Sequence, residues 1–380
     1  MSPASGTVTT HCIGLMSGTS LDGVDGVLCR WDESDRWHGV VAHVHQPFEA
    51  DFQAQLLALQ ASGPDELHRA ALAGNALARR YAEVVERLLQ QAAMPASQVR
   101  AVGAHGQTVR HQPLAFDGVG YTSQINNPAL LAERCGIDVI ADFRSRDLAA
   151  GGQGAPLVPT FHHAVFGDPN RTLALVNIGG ISNLTLLQAG LAPRGWDVGP
   201  GNVLMDLWTI RHLGRTYDEG GRWAASGQVL PGLLNALLAE PFLALSPPKS
   251  TGRDLFHASW LDAHLARSAR SAEPADVQAT LCAYTAQSIA GDLLRLQLQV
   301  DELLVCGGGA LNGELMRQLQ AALARTPVLS SDERGLPPLQ VEAAAFAWLA
   351  HQHLRRQAAS EPAVTGARGP RILGCCYPGY

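Results

Sequence analysis

No uninterrupted apolar run in this 380-residue chain reaches the roughly 18 residues of a membrane span. The opening MSPASGTVTTHC has no basic residue ahead of its apolar stretch, so it lacks the charged start of a secretory signal. Positive charge is scarce as well: 28 Lys and Arg against 34 Asp and Glu leave a net charge of −6. That balance argues against nucleic acid as the main partner and supplies no polybasic anchor for a membrane. The seven cysteines (Cys12, Cys29, Cys135, Cys282, Cys306, Cys375, Cys376) are odd in number, scattered and mostly inside apolar runs. This is the pattern of reduced core thiols in a cytoplasmic protein, not of a disulfide framework. Low-complexity tracts, coiled coils and short repeats are absent. With 46% hydrophobic and 16% charged residues, the composition is that of an ordinary globular protein, long enough for two full-sized cores.

What is present is organised around Ile13 to Leu28, IGLMSGTSLDGVDGVL. An apolar run from Cys12 to Met16 meets the small polar turn Ser17-Gly18-Thr19-Ser20, then Asp22-Gly23 and Asp25, and apolar residues resume at Val24, Val27 and Leu28. This predicts a strand, a tight turn and a return strand. Gly18 and Gly23 let backbone approach a ligand, and Thr19 and Ser20 add hydroxyl donors, so the turn can cradle a phosphate. Asp22 and Asp25 would repel that phosphate unless a divalent cation lay between them, which implies magnesium, bound directly or through water. No lysine follows the glycines as in a Walker loop, and a strand follows the turn where a dinucleotide fingerprint needs a helix. The plain alternative is a hairpin whose Asp-Gly serves only the turn.

His38 to His45 alternates as a third strand, and Pro64 to Gln91 carries apolar residues at helical spacing. Arg100 to Ala104 predicts a short strand ending in His105-Gly106-Gln107-Thr108-Val109-Arg110-His111, polar groups placed where open α/β sheets present ligand contacts. A sugar pocket is the stronger reading; a metal-binding histidine pair and a structural His105 are the alternatives. After Gln124-Ile125-Asn126, Asn127 is expected to cap a helix Ala129 to Cys135, with Pro128 at its first position and Gly136 ending it. Ile137 to Phe143 reads as a buried strand entering a long loop, Arg144 to Pro156, in which Arg146 suits a bidentate grip on a carboxylate.

Leu173 to Gly180 (LALVNIGG) and Ile181 to Leu187 repeat the strand, small-residue turn and strand of the opening, as a fold of two similar domains should. Asp197, between Trp196 and the turn Gly199-Pro200-Gly201, reads either as a general base or as a cap on that turn's amides. Pro248 to Arg253 reads as a mobile polar loop whose Lys249 or Arg253 either reaches phosphate or faces water. A helix Ala275 to Leu298 and a strand Glu302 to Cys306 lead to Gly307-Gly308-Gly309-Ala310-Leu311-Asn312 and a helix Gly313 to Arg325. Glu342 opens a last amphipathic helix, Ala343 to Arg356, and residues 358–380 are expected to form an irregular tail.

MSGTSLDGVD, HGQTVRH, the Arg144 to Pro156 loop, NIGGISN, WDVGPGN, PKSTGR and CGGGALN stand in the order seen in the anhydro-N-acetylmuramic acid kinases, and the chain resembles that family over nearly its whole length. Its first turn resembles, more broadly, the first phosphate loop of the actin and sugar-kinase superfold. Ser145 departs from the pattern, standing where relatives often carry a further arginine. The resemblance implies an α/β, two-domain actin-like ATPase (ribonuclease H-like) fold with an interdomain active-site cleft. Residues 1–145 plus about 343–380 would form the N-terminal domain and residues 146–342 the C-terminal domain. It implies a cytoplasmic enzyme of peptidoglycan recycling that uses ATP and magnesium. Such an enzyme hydrolytically opens 1,6-anhydro-N-acetylmuramic acid and phosphorylates O6, giving N-acetylmuramic acid 6-phosphate and ADP.

On that resemblance, ATP contacts fall to Gly18, Thr19, Ser20, Leu21, Asp22, Gly23, Val24 and Asp25 in the first turn and to Asn177, Gly179, Gly180, Ser182 and Asn183 in the second. Gly307, Gly308, Gly309 and Asn312 would serve the adenosine, and Asp22 and Asp25 the magnesium. His105, Gln107, Thr108, Asn126, Arg146 and Glu342 would face the sugar, with Asp197 as base. The implied partners are the sugar and ATP, with no nucleic acid and no membrane, and a homodimer is allowed. Two alternatives stay open: a simple sugar-hydroxyl kinase of the same superfold, and an ATP-binding or metal-binding module without sugar kinase activity.

Overall fold

In the computed structural model, which describes residues 9–18, 20–247 and 249–380, the chain crosses twice between two units. Residues 1–165 and 340–380 make the first, residues 166–339 the second. The first crossing thus lies at 165/166, later than the expected 145/146, because the intervening segment is tied to the chain's C-terminal part within unit 1. The Asp147 carboxylate accepts from Thr365 Oγ1 at 2.8 Å, and Thr160 Oγ1 donates to the Ala359 carbonyl at 2.9 Å.

Unit 1 is built on a sheet of β1 (Thr10–Ser17), β2 (Gly23–Trp31), β3 (Trp37–Pro47), β4 (Val99–Pro113), β5 (Gly120–Ile125) and β6 (Val139–Ala141), with a last short strand, Cys375–Tyr377. β1, β2 and β3 form an antiparallel meander, and β4 and β6 add in parallel on the other side of β1. Unit 2 repeats the plan with β7 (Leu173–Ile178), β8 (Ile181–Leu187), β9 (Arg194–Pro200), β10 (Glu302–Cys306) and β11 (Val328–Ser330). Here β7, β8 and β9 are the meander, and β10 and β11 run parallel beyond β7. The same strand order occurring twice is the two-domain α/β, actin-like (ribonuclease H-like) fold that the resemblance implies.

Each sheet is held by helices whose buried positions follow from their spacing. On Glu66–Gln91, Ala73, Leu77, Tyr81, Val84, Val85 and Leu88 form one stripe against Ile13, Leu15, Val24 and Leu28. Each such fully buried aliphatic side chain contributes about 1.5–3 kcal/mol. The helix Val341–Leu354 is rich in alanine because it lies directly on strand backbone. A methyl on Gly14 of β1 would sit 1.9 Å from the Ala343 carbonyl oxygen, and one on Gly103 of β4 2.0 Å from that of Phe346. In unit 2 the helix Pro274–Arg295 is apolar on most of its surface, from Val277 to Leu293, and is buried accordingly.

The structure corrects the sequence reading in four places. β4 does not stop at Ala104 but continues to Pro113 and pairs with β5, so His105 to His111 lie within a strand. The loop Arg144 to Pro156 contains the helix Ser145–Ala149, whose Asp147 is buried. Gly199 and Pro200, read as part of a turn after Asp197, lie with Asp197 in β9: β8 supplies the pairing that Asp, Gly and Pro do not favour by themselves. The tail includes an edge strand, with Cys375 paired to Ala141 and Cys376 to Ile140. The expected cap holds: Asn127 Oδ1 accepts from Leu130 N at 3.0 Å, and Gly136 takes φ 66° at the helix end.

Candidate active site

Unit 1 holds the first turn rigidly. The Gly18 carbonyl accepts from Leu21 N at 3.2 Å and from Gln107 Nε2 at 3.0 Å, the Leu21 carbonyl from Gln53 Nε2 at 2.9 Å, and the Asp22 carbonyl from Phe48 N at 3.1 Å. Ser17 Oγ, buried, lies 3.0 Å from the Tyr81 hydroxyl and donates to the Gly106 carbonyl at 3.1 Å. A methyl on Gly18 would meet nothing closer than Ser20 Oγ at 3.5 Å, so a ligand can approach backbone there. Thr19 lies outside the described residues. Gly23 has another reason to be glycine: a methyl would sit 2.4 Å from the Gln46 carbonyl oxygen across the β2–β3 pair.

Ser20 Oγ donates to Asp22 Oδ1 at 2.7 Å, and Asp25 Oδ1 faces His45 Nδ1 at 3.0 Å and His43 Nε2 at 3.4 Å. Burial pushes the Asp25 carboxyl up, but the two histidine hydrogen bonds outweigh it and hold the group below its ordinary value, while the bond to Asp25 raises His45. Among the described residues the Oδ2 atoms of Asp22 and Asp25 have no hydrogen-bond partner. Two hard carboxylate oxygens left over beside an open glycine turn fit magnesium, which keeps most of its waters and takes few protein ligands.

The sugar candidates of unit 1 cluster on β4 and its neighbours. His105 Nε2 accepts from Arg144 Nε at 3.2 Å and lies 2.9 Å from Nη2, and its buried Nδ1 has no partner in hydrogen-bond geometry among the described residues. Burial, reinforced by the Arg144 charge, holds His105 well below its ordinary value, so the ring is neutral with its proton on Nδ1. Gln107 Oε1 and Asn126 Nδ2 are likewise buried and have no partner among the described residues. Buried polar atoms of this kind ordinarily find a partner, and a polyhydroxylated ligand supplies both donors and acceptors. Thr108 Oγ1 accepts from Gln124 Nε2 at 3.3 Å.

Arg144, for which the sequence offers no separate signal, is the half-buried guanidinium against His105. It also donates to the Gly154 carbonyl at 2.8 Å, and burial pushes its pKa down to about 10, with Glu342 opposing. Arg146 is exposed and without a partner among the described residues. Glu342 is pushed up by burial and by the carboxylates of Asp25 and Asp22, against the pull of Arg144.

Unit 2 carries the second turn between β7 and β8. Strand register sets Asn177 beside Asn183 and Asn183 beside Asp197, so three of the expected site residues form one polar row across the sheet. Ser182 is fully buried, with Oγ unpartnered among the described residues. The turn is clasped by the WDVGPGN segment: Asn202 N donates to the Gly179 carbonyl at 2.8 Å and Gly201 N to that of Gly180 at 2.9 Å. Gly201 must be glycine, since a methyl would sit 2.3 Å from the Gly179 oxygen, whereas a methyl on Gly179 would meet only the Ile181 carbonyl oxygen, at an ordinary 3.8 Å.

Asp197 Oδ2 accepts from Ser250 Oγ at 2.9 Å and Thr251 N at 3.0 Å, and Oδ1 has no partner among the described residues. Burial raises this carboxyl above its ordinary value, against those two hydrogen bonds and the Lys249 charge. Arg253 lies against the second turn, its Nη2 3.6 Å from where a methyl on Gly180 would be. Lys249 is buried, contrary to the expected mobile polar loop, and Pro248 lies outside the described residues. Asp206, on the helix Val203–Leu213, is pushed up to about 7 by burial and had no signal in the sequence beyond being a helical acid.

The glycine triplet divides its work. Methyls on Gly307 and Gly309 would sit 2.3 Å from Asn177 Oδ1 and 2.4 Å from Ile178 Cγ2, so both are required by the end of β7; Gly308 alone has a clear face, with Asn202 Nδ2 at 3.7 Å. Asn312 caps the following helix, its Oδ1 accepting from Leu315 N at 3.0 Å.

The family model for anhydro-N-acetylmuramic acid kinase matches residues 10–379. Among curated relatives, the anhydro-N-acetylmuramic acid kinase of Variovorax paradoxus (strain S110) is 62% identical over 371 residues, covering 96% of this chain and 98% of its own. That of Albidiferax ferrireducens is 56% identical over 386 residues, covering 96% and 98%. That of Bordetella petrii is 57% identical over 368 residues, covering 96% of both.

Proposed function

The chain belongs to the anhydro-N-acetylmuramic acid kinase family, and on that premise we propose how its residues divide the reaction. The enzyme is an ATP-dependent kinase that hydrolytically opens the 1,6-anhydro ring of 1,6-anhydro-N-acetylmuramic acid and phosphorylates O6. The products are N-acetylmuramic acid 6-phosphate and ADP, in the recycling of peptidoglycan.

Hydrolysis of a glycosidic bond normally takes two carboxyl groups, an acid for the leaving oxygen and a base for water. Here O6 is captured by the γ-phosphorus, so one carboxylate suffices. Asp197 takes a proton from water through Oδ1 as the water oxygen bonds to C1. The C1–O6 bond breaks, O6 bonds to the γ-phosphorus, and the bond from that phosphorus to the bridging oxygen breaks to release ADP. The observation that carries this assignment is the division of the carboxylate, Oδ2 held by Ser250 and Thr251 and Oδ1 unclaimed.

In unit 1, Gly18, Ser20, Leu21, Gly23 and Val24 offer the phosphates a segment already fixed by hydrogen bonds, which favours in-line geometry, and Thr19 is assigned to the same phosphates on the family resemblance alone. Asp22 and Asp25 would hold magnesium through water, and that ion supplies neutralisation of the phosphate charge. In unit 2, Asn177, Gly179, Gly180, Ser182 and Asn183 serve phosphate, and Gly308 serves adenosine. The atoms of His105, Gln107 and Asn126 that have no partner among the described residues, with Thr108 and Glu342, serve the sugar, and the exposed guanidinium of Arg146 serves its lactyl carboxylate. A cytoplasmic location agrees with seven cysteines that are all free thiols; no helix among the described residues is long and apolar enough to cross a membrane.

An ADP-release assay comparing the anhydro-sugar with N-acetylmuramic acid and N-acetylglucosamine tests the reading: turnover should follow the anhydro-sugar alone, and oxygen from labelled water should enter at C1. Equal turnover on the open sugars without label at C1 would point instead to a simple hydroxyl kinase.

A further inference from the structure

The 28 basic residues include a single lysine, Lys249, the rest being arginine. Its side chain is only 1% exposed, and that of its partner Asp292, on the helix Pro274–Arg295, 4%. Nζ lies 3.0 Å from each Asp292 carboxylate oxygen, 3.4 Å from the Leu243 carbonyl and 4.9 Å above the Phe242 ring. Asp292 also accepts from the indole Nε1 of Trp196 at 3.0 Å and meets Arg295 at the surface. One carboxylate therefore anchors both Lys249 and the residue that precedes Asp197.

The two anchored segments are joined at Asp197 itself. Its N–H donates to the Lys249 carbonyl at 3.1 Å, and its Oδ2 accepts from Ser250 and Thr251. A lysine taken out of water costs far more than an aliphatic residue of the same length, and packing alone does not require the charge. The guanidinium this chain uses everywhere else is planar and wide, whereas an ammonium is a compact point charge that fits between Asp292, a carbonyl and a ring face. The charged groups acting on Lys249 are Asp292, Arg295 and Asp197, and the one acting on Asp197 is Lys249.

We infer that Lys249 and Asp292 are positioning residues for the reaction: their buried ion pair locks residues 249–251 against β9, so that Asp197 keeps Oδ2 engaged, Oδ1 free and its charge in place. The inference rests on Asp197 being the base.

The test uses the full chain. Lys249→Met leaves Asp292 buried without a counter-charge, so it is paired with the double variant Lys249→Met/Asp292→Asn, which removes both charges and keeps an acceptor for Trp196. For the folded double variant, kcat on ATP and the anhydro-sugar should fall on the order of 10- to 100-fold, as for a base displaced by a fraction of an ångström to an ångström. Both KM values should stay within about threefold, and the acid limb of kcat/KM should move up by about half a pH unit or more, because the carboxylate loses a positive neighbour.

Because there is one lysine, labelling with 13Cε-lysine gives one resonance, which should move between wild type and Asp197→Asn. A folded double variant with kcat within twofold of wild type and an unmoved acid limb would overturn the inference while leaving Asp197 as base. Full turnover by Asp197→Asn would instead overturn the base assignment and the inference with it. If neither Lys249 variant folds, the resonance decides: an unmoved signal between wild type and Asp197→Asn overturns the coupling.

Discussion

Replacing Gly14 by alanine puts the packing argument for unit 1 to its hardest test. Gly14 and Gly103 are register partners on β1 and β4, and the helix Val341–Leu354 lies on both. The added methyl would sit 1.9 Å from the Ala343 carbonyl oxygen and 2.5 Å from Ala347 N. Carbon makes its best non-bonded contacts at about 3.5 Å or more, so the helix must retreat by roughly 1.5 Å. Neither obstructing atom belongs to a side chain that could rotate away. Overpacking costs about 1–3 kcal/mol, and with backbone on both sides the upper end applies. For a unit of this size that lowers Tm by about 6–12 °C.

The same retreat moves Glu342, in the helix's first turn, so KM for the anhydro-sugar should rise several-fold while KM for ATP changes less. Gly291→Ala is the matched contrast: it lies inside the helix Pro274–Arg295 with no atom within 4 Å of the new methyl. There the gain in helix propensity should stabilise by about 0.5–1 kcal/mol. Thermal melts of the two variants beside wild type, with sugar-dependent ADP release, decide the matter. A Gly14→Ala protein melting within 2 °C of wild type would refute the reasoning.

Three further outcomes are expected. Arg146→Ala should raise the sugar KM at least about tenfold with an unchanged melting temperature, whereas Arg144→Ala, which also frees His105 Nε2 and the Gly154 carbonyl, should lower both activity and stability; isothermal titration with the anhydro-sugar and melting curves separate the two. Gly201→Ala should displace the second turn through the Gly179 carbonyl and cut kcat/KM for ATP by on the order of 100-fold, read by steady-state kinetics. The Asp25–His45 contact should be worth most between about pH 4 and 6.5. The raised histidine contributes fully below its unfolded value and loses that contribution as pH rises through its folded one, and the lowered carboxyl contributes above its unfolded value and loses that as pH falls through its folded one. Urea melts of wild type and His45→Ala should therefore differ most near pH 5, by no more than about 1 kcal/mol for so exposed a pair, and converge above pH 8.

What the sequence by itself determined was everything set by near neighbours along the chain. Apolar runs meeting small residues specified both turns, the Asn127-Pro128 start and Gly136 stop specified a helix to within a residue, and the order of the motifs specified the family. What only the tertiary structure decided was which polar groups are buried and who answers them. Asp197 became a strand residue because β8 offers it a ladder, and Arg144 outranks Arg146 in burial because His105 lies on an adjoining part of unit 1. Two of the three glycines after β10 turned out to serve the end of β7, and Lys249 went inside because Asp292 waits there. Propensity and turn chemistry act over a few residues, whereas the cost of burying a charge is met by partners tens of residues away, a distance over which the order of residues carries no direct trace.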